Sequence, residues 1–378
     1  MKNVAVLGAA GKMGSGIALL LLQELAKVDG AVLTLLETEE KRFDGLKTYL
    51  YDHLKKYAPN EAFVRTAMEK IRYVTSPQEC AQSKLIFEAV VEDVNLKADL
   101  FRRIDNHATA DTYYFTNTSS IPISVLQEKS HLEGRLIGFH FYNPPAVQKL
   151  LEIIIPEKCS QELQLQAMEI ARRLKKTVVI SHDIAGFIGN GYFIREIKNA
   201  CDHVRKLSAS MPYFQAISTV NSITQNLLLR PMGIFQLIDY VGIDVCWHIS
   251  QIMTTYLFTN FTDPLIKEMW KRKENFFRYE KGKPIAVYDA GSQCYVDYLP
   301  ASTAYALPWK ELSKDPDRQK KIVLYLEQLD RDHSQEAELA KTLLAESDFI
   351  IQGLVKDRVA DSVKDVQTVL QNGFFHLF

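Results

Sequence analysis

The sequence predicts an α/β protein, in which a mostly parallel, doubly wound sheet is followed by an all-helical domain. Strand and helix patterns alternate through about the first half of the chain, and repeats of this kind give parallel strands with helices on both faces. A glycine triplet separates the first strand from the first helix. After about residue 186 the strand pattern fades and long helical stretches follow.

Length and composition favour a globular protein of two or three domains. The chain has 378 residues, more than one ordinary hydrophobic core accommodates. Its formal net charge is -1, so no basic field would attract nucleic acid or anionic lipid. The longest apolar run, IALLLL, is far shorter than the ~20 residues that span a bilayer. We therefore expect no nucleic-acid or membrane partner.

The chain ends and the cysteines favour the cytoplasm. MKNVAVLG leads directly into a predicted strand, so we expect no secretory or transit segment, and the final HLF is not a peroxisomal signal. The five cysteines include no CxxC pair, which argues against a disulfide framework and a thiolate metal site. No metal is expected. The cysteines are Cys80, Cys159, Cys201, Cys246 and Cys294.

The elements of the first domain follow in order. Residues 2–7 are predicted to form a buried strand, residues 14–27 a helix that is apolar nearly all round, and residues 31–37 a second strand. A long amphipathic helix comes next. Further strands are predicted at IRYVT, SKLIFEAV, TYYFTN and RLIGFHFY. The pattern does not determine the order of the strands in the sheet.

Three domains are predicted, with boundaries near residues 185 and 300. Residues 1–185 form the sheet domain and residues 186–300 a helical domain. Glycine and proline interrupt residues 276–307, which are expected to be irregular. Residues 301–378 are predicted to form a charged helical extension.

The segment VAVLGAAGKMGSGIA predicts a phosphate-binding turn. Gly8, Gly11 and Gly14 lie between the first strand and the first helix, where backbone must approach a pyrophosphate closely and helix N-terminal amides face its charge. The strand before and the helix after indicate a Rossmann-type dinucleotide site. We expect Lys12 and Met13 to contact the cofactor as well.

Glu37 stands at the end of the second predicted strand, a position that indicates whether NAD or NADP binds. A carboxylate there accepts hydrogen bonds from the adenosine ribose and repels a 2′-phosphate, which favours NAD over NADP. Alternatively, Glu37 belongs with Glu39 and Glu40 to an acidic cluster that suits a helix N-terminus. Leu36 precedes it, so the register of the ribose contact stays open.

His140 and Glu152 stand in apolar strand patterns within LIGFHFYNPPAVQKLLEIII, residues 136–155. If the two strands pair as antiparallel neighbours about Ala146, these residues lie opposite each other with Cβ atoms ~5 Å apart. A carboxylate on one ring nitrogen fixes the tautomer, and the other nitrogen can then take a proton from a substrate hydroxyl. We favour this catalytic interpretation over a structural pair, because buried ion pairs rarely stabilise more than apolar residues do.

Six segments in register resemble the 3-hydroxyacyl-CoA dehydrogenase family over roughly residues 1–260. They are VAVLGAAGKMGSGIA, IFEAVVEDVNLKADLFRRID, FTNTSSIPIS, IGFHFYNPPAVQKLLEII, DIAGFIGN and RPMGIFQLIDYVGID. The resemblance implies an NAD-binding Rossmann-type domain and a helical domain that commonly dimerises. It also implies reversible oxidation of a (3S)-3-hydroxyacyl-CoA to the 3-ketoacyl-CoA, the chemistry of fatty-acid β-oxidation.

The resemblance implies a role for individual residues. His140 matches the general base and Glu152 the glutamate that orients it. Ser119 matches the serine that hydrogen-bonds the substrate's 3-oxygen, and Asn190 the asparagine that positions substrate and histidine. Positions on the cofactor side are Ala89, Val90, Glu92, Lys97 and Asn117.

Lys55 and Lys56 are candidates for the lysines that bind CoA, although any amphipathic helix carries surface lysines. The sequence also departs from the family pattern: GAAGKMG is one residue longer than the usual loop, and Gly191 stands where arginine is usual. LVKDRVADSVKDVQTVLQNGFF resembles the helix pair that opens the family's C-terminal domain. The extension is then either a partial second copy or a solvated appendage. We expect a homodimer through the helical domain, or a monomer if the extension replaces the partner.

Two other functions stay open. A dehydrogenase of a small free hydroxy acid or sugar acid would share the His–Glu pair without binding CoA. A catalytically idle NAD-binding structural or sensor protein is the alternative from another class, and the four filled catalytic positions count against it.

Overall fold

The structure, a computed structural model, describes residues 2–300 and 307–378. Two compact units are present: the first contains Met1–Phe187 and Val359–Asp361, the second Ile188–Arg358 and Ser362–Phe378. The predicted start of a third domain at residue 301 lies outside the described residues, as does the stretch 301–306 of the segment expected to be irregular.

The first unit is built on an eight-stranded sheet of order β3-β2-β1-β4-β5-β6-β7-β8. Neighbouring strands are parallel except β6 and β7, which are antiparallel. The chain reverses its direction of winding between β1 and β4, where the carboxyl ends of strands in such sheets leave a crevice for ligands. The strands are β1 Asn3–Leu7, β2 Val32–Leu36, β3 Ile71–Val74, β4 Leu85–Glu88, β5 Tyr113–Thr116, β6 Leu136–Phe141, β7 Leu150–Ile155 and β8 Thr177–His182.

Within the described residues of the first unit, six α-helices cover this sheet. The first buries its whole apolar run, Ile17–Leu22, because it packs between other elements of the core. Three others begin at a side chain that accepts from free amides of the first turn, namely Asn60, Asp93 and Ser160. The helices are α1 Lys12–Leu25, α2 Arg42–Tyr57, α3 Glu61–Glu69, α4 Val94–Asp105, α5 Ile123–Ser130 and α6 Gln161–Arg173.

The second unit is helical over most of its length and also contains a small antiparallel sheet of order β11-β10-β9. Its helices are α7 Gly189–Leu207, α8 Tyr213–Asn226, α9 Ile234–Val241, α10 Ile243–Leu257, α11 Pro264–Arg272, α12 Trp309–Leu312, α13 Arg318–Arg331, α14 Gln335–Lys356 and α15 Val363–Gly373. Its strands are β9 Phe277–Glu280, β10 Lys283–Asp289 and β11 Cys294–Asp297.

The expectation of an irregular segment is therefore wrong between residues 277 and 297. Gly282 does not end the structure there; with Lys281 it forms a two-residue turn in which both residues have positive φ, +49° and +78°. That conformation matches the twist of a hairpin, and Glu280 pairs with Lys283 on either side of it.

The C-terminal extension packs into the core of the second unit. Apolar side chains of α12, α13 and α14 join those at the end of α8 in one buried cluster. The Tyr325 hydroxyl donates to the carbonyl of Leu227 at 2.8 Å. The interpretation as a solvated appendage is thus wrong for the described residues, whereas a partial second copy stays a prediction. Across residues 2–300 and 307–378, no helix has the length and apolar character needed to cross a membrane.

Candidate active site

The glycine turn after β1 leaves no room for a side chain at Gly8 or at Gly14. Gly8 has φ +73°, and a Cβ there would lie 2.8 Å from the carbonyl oxygen of Ala89, so only glycine fits without strain. A Cβ at Gly14 would lie 2.0 Å from the oxygen of Gly8. The glycine at position 14 is therefore needed for packing α1 against the turn. A contact of Gly14 with the cofactor stays a prediction.

A cleft of about 610 Å³ opens beside this turn, at the carboxyl ends of β1, β2 and β4. Five of the predicted cofactor residues form part of its wall: Gly8, Gly11, Glu37, Ala89 and Val90. Six others are not part of that wall: Lys12, Met13, Gly14, Glu92, Lys97 and Asn117. The cleft lies at the switch point of the sheet, which is where dinucleotides bind in this architecture.

Glu37 is fixed at the wall of the cleft. Its Oε1 accepts from the amide of Ala10 at 2.5 Å, and its Oε2 accepts from Arg42 Nη1 at 2.7 Å. The Glu37 side chain is 1% exposed and that of Arg42 is 43% exposed. Because α2 begins only at Arg42, Glu37 precedes the first helical turn, which does not favour its interpretation as a helix N-terminal acid. No motif in the sequence marks Arg42, although it follows the end of β2 closely.

His140 and Glu152 meet as the strand pattern predicts. They are direct partners in the antiparallel pair β6–β7, which confirms the predicted register. His140 Nδ1 lies 3.2 Å from Glu152 Oε1. Glu152 is fully buried and His140 is 8% exposed. A carboxylate in this position can orient the ring and select its tautomer.

Tyr142 is a third member of this cluster that the sequence analysis missed. Its hydroxyl donates to Glu152 Oε1 at 2.6 Å, and its ring centroid lies 5.0 Å from that of His140. Burial and the charge of Glu152 raise the pKa of Tyr142 well above its usual value, so it stays a neutral donor. The two-residue spacing from His140 was the available signal, since alternate residues of a strand share a face.

The serine loop, residues 118–120, is held from two sides. Asn117 Oδ1 accepts from the amide of Phe141, next to His140, at 2.8 Å. Glu92 Oε1 accepts from the amides of Ser119 and Ser120 at 2.9 and 3.2 Å. Asn117 and Glu92, predicted on the cofactor side, thus fix the loop that carries Ser119.

Four other predicted site residues lie outside the wall of the cleft and outside the His140–Glu152 cluster. Lys97 is 1% exposed, so its ammonium is not exposed in the cleft. Lys55 and Lys56 are exposed in the last turn of α2, where cations also suit the helix dipole. Asn190 is half-buried on α7 of the second unit. The CoA contact of the two lysines and the substrate contact of Asn190 stay predictions.

Three features together define a dinucleotide-dependent oxidoreductase: the glycine turn, the crevice of the parallel sheet, and the imidazole of His140 oriented by the carboxylate of Glu152. Within residues 2–300 and 307–378, no group of three or more His, Cys, Asp or Glu residues is arranged to hold a metal ion.

Two family models match the chain. Residues 3–184 match the NAD-binding domain of 3-hydroxyacyl-CoA dehydrogenase, and residues 186–288 match its C-terminal domain. The chain therefore belongs to the 3-hydroxyacyl-CoA dehydrogenase family, whose cofactor is NAD.

Curated relatives agree with this assignment, and a solved structure shows the same fold. The chain is 29% identical to a probable 3-hydroxybutyryl-CoA dehydrogenase of Bacillus subtilis, over 74% of this chain and 98% of the relative. It is 30% identical to the human mitochondrial hydroxyacyl-coenzyme A dehydrogenase, over 66% and 80%. The crystal structure of 3-hydroxybutyryl-CoA dehydrogenase from Escherichia coli K12 superposes with a TM-score of 0.74 at 18% identity, covering 99% of this chain and 89% of that one. That likeness extends the shared fold to the C-terminal helices.

Proposed function

We propose that the protein catalyses the reversible, NAD-dependent oxidation of a (3S)-3-hydroxyacyl-CoA to the 3-ketoacyl-CoA. The observation that carries the proposal is the buried His140–Glu152 pair at 3.2 Å, in the sheet that also forms the dinucleotide cleft. The names of the relatives, 3-hydroxybutyryl-CoA and hydroxyacyl-coenzyme A dehydrogenase, support a CoA ester as substrate.

The residues that line the cleft suit NAD in two ways: some have small side chains, and one carries a carboxylate. Gly8, Gly11, Ala89 and Val90 present a wall without long side chains, against which a pyrophosphate can lie, and Glu37 supplies a buried acceptor for ribose hydroxyls. When bound, NAD supplies the acceptor for the hydride that leaves C3 of the substrate.

His140 acts as the general base. With Nδ1–H donated to Glu152 Oε1, the other ring nitrogen is unprotonated and takes the proton of the 3-hydroxyl. Tyr142 donates to the same carboxylate oxygen and so prevents it from rotating away. Ser119 donates a hydrogen bond to the substrate oxygen as it becomes a carbonyl.

The substrate class is tested with steady-state rates of NADH oxidation. We expect kcat/KM for acetoacetyl-CoA to exceed that for free acetoacetate by at least about 100-fold, because binding energy from the CoA moiety is realised in the transition state. Longer 3-ketoacyl-CoAs define the preferred chain length. Comparable rates for ester and free acid would favour a hydroxy-acid dehydrogenase, and NADH binding without any turnover would favour the idle sensor.

Glu37→Ala is expected to weaken NADH binding and to relax the rejection of NADPH. The substitution removes the ribose acceptor and the charge that repels a 2′-phosphate, and it leaves the Arg42 guanidinium without its carboxylate. We expect the Kd of NADH to rise about tenfold, the effect of losing a hydrogen bond to a charged group. Fluorescence titration with both cofactors measures the change.

Arg42→Ala serves as the matched control for that experiment. It keeps the acid at the cleft wall, so selectivity for NADH should stay, whereas adding Arg42→Ala to Glu37→Ala should remove the gained affinity for NADPH. An unchanged preference for NADH in Glu37→Ala would mean that the ribose contact is misassigned.

A further inference from the structure

A buried ionic cluster lies behind the serine loop and has no part in the proton transfer described above. Lys97 Nζ lies 2.6 Å from Glu88 Oε1 and 3.4 Å from Glu92 Oε2. The side chains of Lys97 and Glu88 are 1% and 0% exposed, and that of Glu92 is 23% exposed. Glu88 was not singled out in the sequence, where it stands as one polar residue at the end of an apolar strand.

Glu88 anchors the cluster to the carboxyl ends of two central strands. Its Oε1 also accepts from the amide of Val90 at 2.7 Å, and its Oε2 accepts from the Thr116 hydroxyl at 2.6 Å. Burial by itself lowers the pKa of Lys97, but the two carboxylates, Glu88 before Glu92, raise it above the ordinary value. The ammonium is therefore charged and is fixed to the rigid sheet on one side.

Glu92 connects this anchor to the serine loop. Its Oε1 accepts from the Thr118 hydroxyl at 2.6 Å, from the Ser120 hydroxyl at 3.0 Å and from the Ser119 hydroxyl at 3.4 Å, in addition to two loop amides. Burial tends to raise the pKa of Glu92, but the charge of Lys97 and the donors of the loop lower it below the ordinary value. The loop thus surrounds a carboxylate whose other oxygen faces Lys97.

We propose that Lys97 and Glu88 are positioning residues, which act through Glu92 to set the place and orientation of Ser119 in the active site. The proposal rests on the function assigned to Ser119 above. A buried ion pair gives little stability over apolar residues of the same size, so stability alone is a weak reason for burying two carboxylates and a lysine. A loop that must present a hydroxyl to the substrate needs such rigid support, because misplacement by 1 Å can cost about 10²-fold in rate.

A double-mutant cycle of Lys97→Met and Ser119→Ala tests this, with kcat measured on acetoacetyl-CoA and NADH. In the wild-type background, Lys97→Met should lower kcat about 10- to 100-fold, because it releases the loop. In the Ser119→Ala background the same change should lower kcat by less than about twofold, because the group it positions is already gone. Rates are taken at saturating NADH, because Lys97 Nζ also lies 3.3 Å from the carbonyl oxygen of Val90, a residue of the cleft wall, and its loss can weaken cofactor binding as well.

Lys84→Met is the matched control, because Lys84 is an exposed lysine that binds Asp111 and Thr109 at the surface. It should leave kcat unchanged in both backgrounds. Thermal unfolding of each variant shows whether it is folded. If Lys97→Met is not, Glu88→Gln takes its place in the cycle. The amide keeps the shape, its oxygen can still accept from Lys97 and from the Val90 amide without the negative charge, and the Thr116 hydroxyl can accept from the NH₂ group instead of donating.

The outcomes separate the two proposals. If Ser119→Ala lowers kcat and Lys97→Met lowers it by the same factor in both backgrounds, the serine keeps its role and the positioning role of Lys97 is overturned. If Ser119→Ala leaves kcat unchanged, the assignment of Ser119 fails, and the positioning proposal fails with it.

Discussion

His140→Gln should abolish turnover and leave NADH binding unchanged. The amide has no titratable nitrogen, so no group at this position can take the proton of the 3-hydroxyl in oxidation or deliver it to the 3-oxygen in the reduction that the assay follows, and we expect kcat to fall about 10²- to 10⁴-fold. The fold should persist, because the glutamine amide can still donate to Glu152, which also keeps the Tyr142 hydroxyl as a donor. Steady-state rates with acetoacetyl-CoA and NADH titration by fluorescence measure the two quantities.

His107→Gln provides the control, because His107 is exposed on the surface of the same unit. It should behave like the wild-type protein in both assays. Retention of more than about a tenth of the wild-type kcat in His140→Gln would remove His140 from the role of base. A loss of NADH binding in parallel with activity would instead indicate a structural role for the imidazole.

The pairing of His140 with Glu152 could be predicted because it depends on local rules. Two strand patterns flank the eight-residue connection 142–149, and antiparallel pairing about its middle, near Ala146, places His140 opposite Glu152. Tyr142 was missed for an equally local reason. It ends the predicted strand RLIGFHFY, where a tyrosine is typical of an apolar core pattern, and only the contact of its hydroxyl with Glu152 shows a further role.

The sheet order and the buried cluster could not be predicted in this way. Periodicity shows that a segment is a strand, but its neighbours in the sheet depend on contacts between distant parts of the chain, such as the pairing of β1 with β4. Burial of Lys97 is also a tertiary property. A lysine on an amphipathic helix is ordinarily exposed, and only the positions of Glu88 and Glu92 on neighbouring elements show why this one is not.

The missed hairpin has a related cause. Glycine marks both the end of an element and the turn inside a hairpin, and the two differ only in whether the flanking residues pair. At Gly282 they do, through Glu280 and Lys283. Strands β9 and β11 are also short and largely exposed, so their alternation of apolar and polar residues is weak.

Glu152→Gln should lower kcat nearly as far as removing the imidazole, by about 10²- to 10⁴-fold. The neutral amide cannot stabilise the imidazolium that forms when His140 takes the proton. If its NH₂ faces Nδ1, it also forces the other tautomer, in which the nitrogen that should accept the proton already carries one. The melting temperature should not fall, because a buried amide costs less to desolvate than a buried carboxylate. Activity and thermal unfolding of the same preparation measure both effects.

Tyr142→Phe separates the effect of the negative charge of Glu152 from the effect of its position. It removes one donor to Oε1 but keeps the carboxylate and the His140 tautomer, so we expect a loss of only about tenfold. The comparison of the activity lost in each variant decides between the two roles of Glu152, because both substitutions affect the same carboxylate oxygen. If Glu152→Gln loses no more activity than Tyr142→Phe, the carboxylate only holds the ring in place, and its charge takes no part in proton transfer.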